Sequence, residues 1–171
     1  MSFFARPSAR WAAPANGAQR SQVILVAGSP CAGKSTFVRE HMRAGDMVVD
    51  YDALIAALGG AGRSHFLRRY VIRARNAILR EVAAPNIGPG MARLPHARRV
   101  WVVKGAPTRQ ERAEYRERFG ARVVVVETPE RICLARALAE RPPEWRDAVS
   151  AWFRAYVPDD RDERVSGGGG P

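Results

Sequence analysis

The 171-residue sequence predicts an α/β protein built on a mostly parallel sheet, and three observations carry that expectation. Short apolar runs of strand length alternate with amphipathic, helix-length segments. The strands read as unbroken apolar runs rather than alternating ones, as expected when both sheet faces are covered. The first run passes directly into Gly28-Ser29-Pro30-Cys31-Ala32-Gly33-Lys34-Ser35-Thr36, a glycine-bounded loop opening a helix.

Residues 1–20 are rich in Ala, Pro, Ser and Arg without periodicity and are expected to form a flexible leader. The first strand is Gln22 to Ala27, followed by the loop and a helix from Lys34 to Met42. Met47 to Val49 is the second strand, ending at Asp50. Ser64 to Ala84 is expected to be one long helix with an apolar stripe of Phe66, Tyr70, Ala74, Ala77, Ile78 and Val82. Its arginines 68, 69, 73, 75 and 80 lie largely off that stripe. Pro85 to Pro95 is broken by Gly and Pro and reads as a loop.

Val100 to Val103 is the third strand. Thr108-x-x-Glu111 is a capping-box signature opening a helix that stops near Gly120. Val123 to Val126 is the fourth strand, and Thr128-Pro129 predicts an N-cap with Pro at the first helical position. After Arg141-Pro142-Pro143 comes an amphipathic helix carrying Trp145, Val149, Trp152, Phe153 and Tyr156. Residues 158–171, polar and glycine-ended, are expected to be a disordered tail, which leaves one domain over residues 21–157.

Composition narrows the function. No apolar run is long enough to cross a bilayer, so no membrane partner is expected. Cys31 and Cys133 make no metal spacing, and a disulfide at Cys31 would obstruct the loop, which points to a reducing, cytoplasmic setting. The formal net charge of +11 favours a polyanionic partner. Only Lys34 and Lys104 are lysines, however, so the remaining basic residues are arginine. That is the pattern a GC-rich coding sequence produces without functional demand.

The loop is the phosphate cradle of a P-loop nucleotide-binding fold, a three-layer sandwich. Gly28 and Gly33 let backbone N–H groups converge on phosphates, flanked by Ser29, Pro30, Cys31 and Ala32. Lys34 is placed to reach the β- and γ-phosphates of ATP, Ser35 to ligate Mg2+, and Thr36 to support the α-phosphate side. Asp50 and Asp52 stand where the second strand leaves the sheet. One is expected to accept the proton of an acceptor hydroxyl, and the other to hold Mg2+-bound water, fix the loop or cap the next helix. The assignment favours Asp52 as base and Asp50 on the metal side. The third strand ends at Lys104, where many such proteins carry a metal-binding acid. This argues against a motor ATPase and suits a small kinase; Lys104 is either a substrate-phosphate contact or a surface lysine. Arg136 and Arg141 flank the break before Pro142 and are candidates for a lid that brings arginine to the transferring phosphoryl group. A merely solvated arginine is the alternative.

Gly28 to Thr36, the segment Val48 to Asp52, Pro107 to Arg112, and Leu134 to Arg141 followed by an aromatic helix occur in an order that resembles the kinase domain of phage-type 5′-hydroxyl polynucleotide kinases. Related small AAA-like P-loop kinases share it. The resemblance spans about residues 22–156. It implies Asp52 as general base, Arg141 as lid arginine, ATP and Mg2+ as cofactors, a nucleic-acid acceptor (a 5′-hydroxyl end or modified base) and, if phage-encoded, a host-cytoplasm location. Two positions depart from that family: Ile55 stands where an arginine grips substrate phosphate, and Lys104 where the strand ends in aspartate. Two alternatives stay open at this stage. One is a kinase of a small-molecule hydroxyl (nucleoside, sugar or antibiotic), and the other is a non-catalytic ATP-binding regulator.

Overall fold

The computed structural model describes residues 21–60, 65–83 and 97–167. The leader over 1–20 and the loop over 85–95 lie outside the described residues. Five strands, β1 (Gln22–Ala27), β2 (Met47–Asp50), β3 (Arg99–Lys104), β4 (Arg122–Glu127) and β5 (Glu163–Ser166), form one sheet in the order β2-β3-β1-β4-β5. Every neighbouring pair is parallel. The helices are α1 (Lys34–His41), α2 (Tyr51–Ala57), α3 (Arg68–Ala83), α4 (Arg109–Phe119), α5 (Glu130–Glu140) and α6 (Glu144–Ala155).

Side-chain alternation in the central strands feeds two cores. Ile24, Val26, Trp101 and Val124 pack with Phe37, Cys133, Ala137 and Val149 on one face. Val23, Leu25, Val102 and Val125 pack with Leu79 and Tyr115 on the other. Burying both faces of the central strands β1, β3 and β4 explains their unbroken apolar runs and makes the three layers expected from the sequence.

The amino edge of the sheet is clamped by a buried ion pair. Arg99 and Asp46 meet at 2.6 Å, and the Trp101 indole N–H donates to the same carboxylate at 3.0 Å. Burial by itself would raise the Asp46 carboxyl, but hydrogen bonds from Arg99, Trp101 and the Arg43 amide outweigh it and hold the group below the usual carboxylate range.

Three expectations are corrected. The long helix begins at Arg68, after a single 3-10 turn over His65–Leu67, and its buried face carries Val71, which joins Leu67 and Ile55, and Leu79, which packs into the core beside Val23 and Leu25. Phe66 and Tyr70 are exposed. The covered positions Leu67, Val71, Ile78, Leu79 and Val82 follow one α-helical period, so the apolar stripe is centred about one residue later than the stripe expected from the sequence.

The tail expected from 158 is ordered through Gly167 and supplies β5, in register Val124↔Glu163 to Glu127↔Ser166. Its polarity misled because charge, not apolar area, docks it. Arg112 is fully buried, with Nε on Asp162 at 2.9 Å and its other nitrogens on the carbonyls of Ala106, Pro107 and Val157. Arg116 also pairs with Asp162, and Arg122 with Glu163. Finally, Thr128 does not cap α5, whose N-cap position is Pro129 without a side-chain hydrogen bond. The Thr108–Glu111 capping box, by contrast, is present in both its hydrogen bonds.

Candidate active site

The glycine-bounded loop leaves the central strand β1, at the carboxyl edge of the sheet, where the chain crosses from one side of β1 to the other. Ligands of open α/β sheets bind at this edge. Gly28 has φ +152°, and a Cβ there would lie 2.8 Å from the Val126 carbonyl oxygen, so any side chain would force the loop off the sheet. Cys31 adopts φ +62°, an uncommon left-handed conformation for a residue with a side chain. Strain of that kind persists only where surrounding contacts impose it. Gly33, also left-handed at φ +93°, leads into α1.

The loop borders a cleft of about 450 Å3. Pro30, Cys31, Gly33, Lys34, Ser35 and Thr36 line it from the loop side, and Asp50 and Asp52 from the end of β2. Arg136 and Arg141 line it from α5. The structure therefore brings together on one cleft the charged residues singled out in the sequence, Lys104 excepted. Gly28, Ser29 and Ala32 lie behind this lining, in the floor of the loop; Ser29 and Ala32 are buried.

Lys34 Nζ donates to the Ser29 carbonyl at 2.6 Å. Desolvation lowers its pKa to about 8, partly opposed by the fields of Asp50 and Asp52. Asp50 is the N-cap of α2: one carboxylate oxygen accepts from the Asp52 amide at 2.9 Å and the other from the Ser35 hydroxyl at 2.9 Å. The capping role thus falls to Asp50, while Asp52 stands in the first turn of α2 on the cleft. Burial raises the Cys31 thiol, opposed by Arg141 and Lys34, so the group stays protonated at neutral pH.

Arg136 Nη1 donates to the Cys31 carbonyl at 3.2 Å. Arg141, at the extended C-cap of α5, stacks 5.0 Å over the Trp145 ring. Lys104 turns away from the cleft. It pairs with Glu111 at 2.9 Å, near the Tyr115 ring, and tightens the start of α4, so the substrate-phosphate alternative has no support. The β3 side chain that reaches the cleft is Val103, which cannot bind a metal.

Sequence reasoning missed Arg39, Glu140 and Trp145 in the lining. Arg39 was within reach of helical spacing: it follows Thr36 by three residues, on one face of α1, and donates to the Thr36 hydroxyl at 3.0 Å. Trp145 looked like one more aromatic of a core helix.

A parallel sheet ordered 2-3-1-4-5, with a phosphate-type loop on its central strand and two carboxylates beside it, defines a P-loop protein of the small-kinase fold. A family model described as an AAA domain matches residues 23–156, and the chain belongs to that family. Similar solved structures include a gluconokinase from Sinorhizobium meliloti 1021, at 16% identity and TM-score 0.52, covering 88% of this chain and 84% of that one. TT1252 from Thermus thermophilus matches at 20% identity and TM-score 0.50, covering 88% and 91%. A shikimate kinase from Acinetobacter baumannii, in complex with shikimate, aligns at 16% identity and TM-score 0.49 over 88% and 86%. At such identities the likeness is one of fold. No protein of curated function matches the sequence. The resemblance to phage polynucleotide kinases thus holds in its coarser part, the P-loop family and fold; nothing in these matches singles out a polynucleotide kinase. Among the described residues no helix is long and apolar enough to cross a membrane.

Proposed function

We propose that the protein is an ATP-dependent kinase that phosphorylates a hydroxyl of a small molecule. The observation that carries this reading is the Asp52 carboxylate on the same cleft as Lys34, Ser35 and Arg141. A proton acceptor facing a phosphate cradle is the arrangement that hydroxyl phosphorylation needs and nucleotide storage does not. Lys34 holds the β- and γ-phosphates, and Asp52 takes the hydroxyl proton as the acceptor oxygen bonds to the γ-phosphorus and the bond to ADP breaks. Arg141, with Arg136, meets the charge that develops on the transferring group.

The site also fits Mg2+. The Ser35 hydroxyl and Asp50 carboxylate present adjacent hard oxygens at the cleft, and such an ion needs few protein ligands beside nucleotide phosphates and water. When bound, Mg2+ supplies charge neutralisation across those phosphates.

Two observations favour a small acceptor. The gluconokinase among the similar structures is named for a small-molecule substrate. Four arginines, Arg99, Arg112, Arg116 and Arg122, sit in ion pairs away from the cleft and so do not offer a polyanion track leading to it. A second reading, a nucleic-acid 5′-hydroxyl kinase, draws on the exposed Arg68, Arg69, Arg73 and Arg80 of α3.

The test is transfer of labelled phosphate from γ-labelled ATP to a panel of sugars, sugar acids, nucleosides, antibiotics and 5′-hydroxyl oligonucleotides. The expected result is a labelled small molecule, with Asp52→Asn slowing transfer by about 10²- to 10⁴-fold. Label confined to oligonucleotides would move the assignment to the second reading. ATP binding with no label on any acceptor would leave a non-catalytic nucleotide-binding protein.

A further inference from the structure

The C-terminal segment, expected from the sequence to be a disordered tail, reaches the phosphate loop at Gly167. Gly167 continues the β4–β5 ladder, its N–H donating to the Glu127 carbonyl at 2.8 Å. A Cβ at Gly167 would overlap the Thr128 hydroxyl oxygen and the Ala32 carbonyl oxygen. Since one of those atoms is backbone, no flexible side chain can yield. Thr128, free of the capping role its sequence suggested, donates its hydroxyl to that Ala32 carbonyl at 2.9 Å in a buried hydrogen bond.

The consequence for the loop follows from peptide geometry. In a planar trans peptide the C=O of one residue and the N–H of the next point in opposite directions. Thr128 draws the Ala32 carbonyl toward the β4–β5 side, so the Gly33 N–H is turned the other way, toward the cleft that Gly33 lines. Donors fixed before a ligand arrives bind an anion without a reorganisation cost.

We infer that Thr128 and Gly167 are positioning residues for nucleotide binding. The end of β5 and the start of α5 lock the Ala32–Gly33 peptide in its phosphate-facing orientation, so triphosphate affinity depends on a strand remote from the chemistry. The Arg112–Asp162 pair, by docking the segment before β5, holds this support in place. The inference rests on the donor-site reading above.

Binding of Mg·ATP to the full chain is measured by titration calorimetry, with thermal unfolding recorded alongside. Thr128→Val keeps the shape and removes the hydroxyl; Thr128→Ser restores it. The expected pattern is a Kd raised about tenfold in Thr128→Val and back within about twofold of wild type in Thr128→Ser, the size of one hydrogen bond to an oriented donor. Gly167→Ala is expected to weaken binding by at least as much; if it does not fold, the Thr128 pair decides alone. A wild-type Kd in Thr128→Val, with or without a lower Tm, overturns the inference while leaving the donor site intact. A wild type that binds no ATP overturns both.

Discussion

The molecule treats its inward-facing cations in two ways. Arg99 and Arg112 are nearly or wholly buried, and each meets a carboxylate, Asp46 and Asp162, within 2.9 Å. Lys34, half-buried and desolvated enough to bring its pKa to about 8, makes no ion pair among the described residues and rests on a carbonyl. The first two sites are complete. The third carries a desolvated cation without a matched anion, a state that costs folding energy and that a phosphate group relieves. Burial with a partner marks architecture here, and burial without one marks a binding site.

The comparison breaks most sharply at Lys34. Lys34→Met is expected to reduce phosphoryl transfer by more than about 10³-fold, because the transferring group loses its fixed positive charge. The same change should leave Tm unchanged or higher, since a poorly solvated cation is removed. A large fall in Tm would show Lys34 to be structural after all.

Asp162→Asn addresses the opposite case. It leaves Arg112 buried without its counter-charge and is expected to cost about 3–5 kcal/mol in denaturant unfolding. A loss under about 1 kcal/mol, within the range of exposed ion pairs, would remove Arg112 from the architectural class.

Proton linkage separates the two kinds of site with smaller effects. A cation at Lys34 is favoured by bound phosphate, so ATP binding should take up as much as one proton as pH rises above about 8, with affinity falling in that range. Affinity flat from pH 7 to 9 would contradict it. Asp46 titrates below its unfolded value, so its contribution to stability is complete above the ordinary carboxylate range and declines as pH falls through the depressed native value. In Asp46→Asn that part of the acid-side decline should vanish from the stability profile. Lys104→Met is the smallest change. It loses a partly exposed pair with Glu111, is expected to cost less than about 1 kcal/mol, and should leave transfer unaltered.

The first four strands and the phosphate loop were legible because they follow burial and steric rules that act locally. A run such as Val123 to Val126 can only be a covered strand, and Gly28 and Gly33 sit where side chains are excluded. β5 was not legible, because Glu163-Arg164-Val165-Ser166 alternates half-buried and exposed and is docked by arginines some 40 to 50 positions earlier. Thr128 was misread for a related reason: a hydroxyl before Pro looks like a cap, yet its acceptor is 96 residues away. In the site, Lys34, Ser35, Asp50 and Asp52 were found from motif and strand end. Which aspartate caps α2 depended on backbone geometry, and Trp145 on where α6 folds back.

The central claim is that the cleft is the donor half of a hydroxyl kinase with Asp52 as its base. It is tested most directly by measuring Mg·ATP affinity and phosphate transfer side by side in wild type and Asp52→Asn, on the acceptor the panel identifies. The account predicts a Kd within about threefold of wild type and transfer reduced at least about 100-fold. Equal transfer by both proteins would contradict it.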